Sequence, residues 1–117
     1  MAESIPVENI AAENTGTAPA VPAHIDAMAR AAGDSFAELV RIMATLRAPG
    51  GCPWDAEQSH ASLMRYLVEE AYEVVEAVEA PEGVNLPLLR EELGDVLMQV
   101  VLHAQIAADA GARMSNH

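Results

Sequence analysis

The chain has 117 residues, room for one domain, and is 51% hydrophobic but only 3% aromatic, so its core must come from Ala, Val, Leu, Ile and Met, a composition that favours helices. Eighteen acidic residues against six basic ones give a formal net charge of −12, which argues against binding to nucleic acid polymers or anionic membranes. With one cysteine (Cys52), no apolar run of transmembrane length and no basic segment leading into an apolar one at the N-terminus, a soluble cytoplasmic protein is expected.

Residues 1–33 read as a disordered or weakly helical tail, broken by Pro6, Pro19 and Pro22, with at most a short helix over His24–Ala32. The folded domain is expected over residues 34–112, with 113–117 as a C-terminal tail. The first firm helix is predicted from Ser35 to Leu46. Ser35 and Glu38 have capping-box spacing, and Phe36, Leu39, Val40, Met43 and Leu46 recur at helical intervals as one apolar stripe. Two prolines and two glycines in Ala48–Asp55 then stop the helix and make a defined loop. That loop carries Trp54, which either plugs the core or offers a flat face to a nucleobase. Cys52 beside it reads as a small buried thiol, because no strongly positive surroundings are evident.

Ser59 is the expected cap of a second helix over about His60–Ala80. On a helical wheel Leu63, Leu67, Val74 and Val78 mark its buried face. Glu70 sits at the shoulder of that face and Glu73 further round, while Glu76 and Glu79 point to solvent. Pro81, Gly83 and Pro87 mark the connection that follows. Asn85 is the expected cap of a third helix running to about Ala110, with Gly111 as its stop. Leu93, Val96, Leu97, Met98, Val100, Val101 and Leu102 make this helix apolar round most of its circumference, which predicts burial on several sides and, in so short a chain, against another subunit. Glu92, Asp95, Gln99 and His103 form a polar stripe within an arc of about 80°. His103 reads as a hydrogen-bonded core histidine before it reads as a metal ligand. Gly94 between the two acids predicts close approach by the facing helix.

Glu70 and Glu73 are three residues apart, as are Glu92 and Asp95, so each pair lies on one helix face. A short connection makes the two helices antiparallel neighbours, which brings the four acids together. Unpaired anions are costly to bury, so a cation is required among them. Oxygen ligands alone suit Mg²⁺, or Mn²⁺ in its place.

The segments that carry these residues resemble a known family. Leu46-Arg47-x-Pro49-Gly50-Gly51-Cys52-Pro53-Trp54-Asp55-x-Glu57-Gln58-Ser59-His60-x-Ser62-Leu63 is similar to the opening of a MazG-type nucleoside triphosphate pyrophosphohydrolase. Leu67-x-Glu69-Glu70-x-Tyr72-Glu73 resembles its E-E-x-x-E motif, and Glu91-Glu92-Leu93-Gly94-Asp95-x-Leu97-x-Gln99-Val100-Val101-x-His103-Ala104 its E-x-x-D helix. The resemblance spans about Phe36 to Ala108. It implies an all-α antiparallel bundle of the all-α NTP pyrophosphatase type, completed by oligomerisation as a homodimer or homotetramer. It implies Mg²⁺-dependent hydrolysis of nucleoside triphosphates to monophosphate and pyrophosphate, a house-cleaning activity on the nucleotide pool. Carried over, the metal ligands are Glu70, Glu73, Glu92 and Asp95. Glu69, Glu70 and Glu73 are the catalytic acids, Glu69 assisting the water. Trp54 and Arg47 lie on the substrate side.

Two departures stand out. Ala56 replaces a lysine that often follows the Trp-Asp pair. The family pattern also continues past the third helix into further helical segments with substrate contacts, whereas this chain stops at His117. The resemblance therefore implies a fragment, a truncated product or an unusually short member, with a whole metal site and a reduced substrate pocket. Arg65 and Arg90 join Arg47 as candidates for phosphate contact. Two rival readings are a weakly active or non-catalytic metal-binding oligomerisation module and an acidic helical bundle without metal. Pyrophosphate release separates the first from the hydrolase, and Mn²⁺ titration separates the second.

Overall fold

A computed structural model describes residues 19–115, with side chains to Gly111. Among the described residues there are four helices and no strand: α1 (Ala23–Arg47), α2 (Pro53–Glu57), α3 (Met64–Val78) and α4 (Leu86–Ser115). The all-α class follows from the sequence as expected. Two compact units divide between Asp34 and Ser35.

The first helix starts at Ala23, not Ser35. Its early part is rich in alanine, the best helix former, so Gly33 is absorbed at a cost of about 1 kcal/mol. Pro22 stands just before the helix and accepts bonds from the Ile25 and Asp26 amides through its carbonyl. Ser35 is therefore a mid-helix residue rather than a cap. Every side chain from Ala23 to Asp34 is exposed.

In the unit from Ser35 onward, Met43, Leu63, Val101, Leu102 and Ile106 form the buried core, with Leu39 and Tyr66 packed against it. The predicted stripe on α1 is only partly used: Met43 is buried, while Phe36 and Val40 are exposed. After Arg47 the chain turns back on itself. The Cys52 amide donates to the Leu46 carbonyl at 2.8 Å and the Gly51 amide to Ala48 at 2.9 Å. Gly50 takes a φ of +85°, and a Cβ on Gly51 would run into the carbonyl oxygens of Thr45 and Leu46. Both positions of the Gly-Gly pair thus need glycine, one for conformation and one for space. Pro53 then opens α2, a short helix that the loop reading did not contain.

Ser59 caps a turn, not α3. Ser59 and Ser62 bond reciprocally, the Ser62 amide to Ser59 Oγ at 3.0 Å and the Ser59 amide to Ser62 Oγ at 2.9 Å. This closes the turn before Leu63, so α3 starts at Met64. Asn85 caps α4 as its position predicts, its Oδ1 accepting from the Leu88 amide at 3.1 Å. The α4 helix passes through Gly111 to Ser115. Open space surrounds Gly111, and one glycine among helix formers lowers helix stability without ending the helix.

The helices α3 and α4 pack together. They run antiparallel, because Glu73 meets Glu92 near the connecting turn while His60 meets His103 far from it. Gly94 has open space where a Cβ would stand, so close approach by α3 is not the reason for it. Burial on α4 is one-sided: Val101 and Leu102 are buried, while Leu93, Leu97, Met98 and Val100 are exposed. On α3, Val68, Tyr72, Val75 and Val78 are exposed as well.

Candidate metal centre

The geometry of α3 and α4 brings Glu70, Glu73, Glu92 and Asp95 to one place. One carboxylate oxygen from each lies within 4.8 Å of all the others. Each residue reaches the cluster because its helix repeats every 3.6 residues, so acids three apart stack on one face. Burial grades across the site. Glu92 is buried, with 7% of its surface exposed, Glu70 and Asp95 are half-buried, and Glu73 is exposed.

The electrostatics are those of an over-crowded anion site. The carboxyl of Glu92 is pushed up to about 7, first by its hydrogen bond with Glu73, then by burial, then by the charges of Glu73, Asp95 and Glu91. Glu70 is raised by burial above all, then by the charges of Asp95 and Glu73, a hydrogen bond with Asp95 and the charge of Glu69. Glu70 Oε2 and Glu92 Oε2 are buried without a hydrogen-bond partner. Buried acceptors without donors are costly, and two in one four-carboxylate cluster fit a cation bound between them. The donor set is oxygen only, which matches a hard divalent ion.

The remaining predicted site residues lie elsewhere. Glu69 is exposed beside the cluster, 3.8 Å from Arg65 Nε. Trp54 is half-exposed and meets Tyr66 edge-on, with centroids 6.1 Å apart and planes at 71°, so it is no full plug of the core. The Arg47 side chain is buried at 8% exposure and its guanidinium is committed. Its Nε donates to Asp109 Oδ2 at 3.0 Å, and its Nη1 to the carbonyls of Asp55 at 2.6 Å and Gln58 at 3.2 Å. Asp109 follows Asp95 by fourteen residues on α4, about 21 Å along the helix axis. Arg47 is thus a clamp that ties the end of α1 to α2 and to the far part of α4. Arg47→Lys, which keeps the charge but loses the fork, is expected to cost on the order of 3 kcal/mol in urea denaturation. A loss below about 0.5 kcal/mol would show that the clamp carries little.

One pair escaped the sequence reading. His60 Nδ1 and His103 Nδ1 are 2.8 Å apart, with parallel stacked rings whose centroids are 5.0 Å apart. No spacing rule links residues 43 apart in sequence; only the antiparallel fold of α3 on α4 does. His103 is hydrogen-bonded, as its polar stripe predicts, and His60 is its partner.

The MazG nucleotide pyrophosphohydrolase domain profile matches residues 58–114. Over 81 residues, 69% of this chain, the sequence is 56% identical to the nucleoside triphosphate pyrophosphohydrolase/pyrophosphatase MazG of Thermotoga maritima, of which that stretch is 31%. It is 51% identical over 78 residues to the nucleoside triphosphate pyrophosphohydrolase of Mycolicibacterium smegmatis, covering 67% of this chain and 22% of the relative. The Escherichia coli protein of that name is 47% identical over 74 residues, 62% of this chain and 27% of the relative. The chain thus spans less than a third of the length of these three relatives.

Proposed function

We propose, for a chain that belongs through its residues 58–114 to the MazG nucleotide pyrophosphohydrolase family, that it hydrolyses nucleoside triphosphates to monophosphate and pyrophosphate with Mg²⁺ held at Glu70, Glu73, Glu92 and Asp95. The observation that carries this reading is the convergence of four carboxylates with two partnerless buried oxygens among them. When bound, Mg²⁺ neutralises phosphate charge and makes a coordinated water more acidic.

The chain's own residues do the rest. Glu70, Glu73, Glu92 and Asp95 would hold the ion through their carboxylate oxygens, and its positive charge would offset the burial and crowding that raise Glu70 and Glu92. Glu69, at the edge of the cluster, orients the attacking water and accepts its proton. Trp54, half-exposed, is the ring that would stack on the base. Arg47 serves that side by holding the carbonyl of Asp55, within the helix that carries Trp54, and that of Gln58 just after it.

The exposed apolar stripes support a homo-oligomer. Val68, Ala71, Tyr72 and Val75 share one face of α3, and Leu93, Leu97 and Val100 one face of α4, all open to solvent in a single copy. Apolar faces of this kind are normally covered by a partner. Val75→Glu is expected to shift the chain from dimer or tetramer to monomer in sedimentation velocity; an unchanged mass would remove this face from the interface.

The test of activity is pyrophosphate release from a panel of NTPs with and without Mg²⁺. Stoichiometric monophosphate and pyrophosphate support the proposal. Mn²⁺ binding without turnover of any NTP would leave a metal-binding helical module instead.

A further inference from the structure

Four buried side-chain atoms among the described residues lack a hydrogen-bond partner: Glu70 Oε2, Glu92 Oε2, Gln99 Oε1 and His103 Nε2. A cation at the carboxylate cluster meets the first two. It does not meet the others. Gln99 follows Asp95 by one turn of α4 and His103 by two, on the same narrow arc. At the helical rise they stand about 6 Å and about 12 Å beyond Asp95 along the axis. This is the scale on which a nucleoside extends from its phosphates. In the other direction along α4 the same face carries half-buried Leu88, which offers no side-chain hydrogen bond.

The His pair adds a constraint. Of two Nδ1 atoms 2.8 Å apart, one donates and the other accepts. When His103 Nδ1 accepts from His60, its Nε2 carries the hydrogen and is a donor. When His103 Nδ1 donates, its Nε2 is an acceptor. His60 therefore sets what His103 presents, and the switch moves no heavy atom.

We propose that His103 Nε2 and the Gln99 carboxamide bind the nucleoside end of the NTP whose triphosphate lies at the carboxylates, with His60 as a positioning residue that sets the His103 tautomer. The proposal rests on the hydrolase reading above. Both groups offer either a donor or an acceptor, so a carbonyl edge and an amino edge are accepted alike, and the contact adds affinity with little choice between bases.

The test is steady-state hydrolysis of ATP and GTP with Mg²⁺, alongside Mn²⁺ titration calorimetry. His103→Asn keeps a polar atom near the Nδ1 position to meet His60 and loses the Nε2 group. His103→Gln reaches the Nε2 position. His60→Phe keeps the stacked ring and removes the Nδ1 partner. His103→Asn is expected to raise KM about three- to tenfold for both nucleotides, the worth of one hydrogen bond, with kcat and Mn²⁺ affinity unchanged. His103→Gln restores most of the loss, and His60→Phe raises KM without changing kcat. If His103→Asn loses its helical circular dichroism, Gln99→Leu carries the test and must raise KM in the same range. Unchanged KM in a folded variant overturns the proposal, as does loss of oligomer with KM intact, which assigns the two atoms to a subunit contact. Mn²⁺ binding by the wild type without NTP turnover defeats the hydrolase reading itself, and this proposal with it.

Discussion

Glu73→Gln and Asp95→Asn are each expected to lower kcat/KM for NTP hydrolysis by more than about 100-fold while leaving helical content unchanged. Changes to groups that merely support a metal ligand already cost about 10–100-fold, and these two substitutions remove ligands outright. The fold survives because neither side chain belongs to the core of Met43, Leu63, Val101, Leu102 and Ile106. Glu73 is exposed and Asp95 half-buried, and each removes one negative charge from a crowded cluster. The measurements are steady-state kinetics, circular dichroism and Mn²⁺ calorimetry on the same samples. Full turnover in both variants would remove the cluster from the chemistry.

The metal-free chain is expected to melt at a higher temperature at pH 5 than at pH 8, and Mg²⁺ is expected to stabilise it at pH 8 far more than at pH 5. The folded-state carboxyl of Glu92 titrates at about 7, above its ordinary 4.5. A raised acid binds its proton more tightly in the folded chain than in the unfolded one. Its contribution to stability is therefore complete below about 4.5 and lost as pH rises through about 7. Glu70 is raised in the same direction and adds to the trend. Mg²⁺ needs the ionised carboxylates, so protons compete with it at pH 5. At pH 8, at a hundredfold excess over its Kd, it contributes about 2.7 kcal/mol. Glu92→Gln should raise the metal-free melting temperature at pH 8 and abolish the Mg²⁺ shift. Differential scanning calorimetry with chelator and with Mg²⁺ reads all of this. A metal-free melting temperature flat from pH 5 to 8, or equal Mg²⁺ stabilisation at both, would show that the cluster is not under this strain.

The two acid pairs were legible because helical periodicity is local. Glu70 and Glu73, or Glu92 and Asp95, need only one turn of helix to share a face, and Pro81 and Gly83 announce the turn that folds one pair onto the other. Boundaries were less legible. Ser35 and Ser59 both look like helix caps, yet one lies inside α1 and the other closes a separate turn with Ser62. A serine hydroxyl accepts from any nearby amide, so its presence does not say which amide it meets. Gly111 reads as a stop, but nothing in the packing requires the helix to end there.

Arg47 shows the limit most sharply. Its fork and the family resemblance make it a candidate phosphate contact, while the fold ties it to Asp109 and the carbonyls of Asp55 and Gln58. That commitment depends on a residue 62 positions away, and no local pattern carries such information.

Composition and spacing alone determined the helical class and the opposed acid pairs, because each follows from charge, hydrophobicity and the 3.6-residue repeat. Only the tertiary structure decided that Arg47 is a buried clamp, that His60 meets His103, and that Gln99 and His103 carry partnerless atoms beyond the cluster. Those facts depend on which distant residues the antiparallel packing of α3 and α4 sets side by side, and contacts between distant residues leave no periodic trace in the chain.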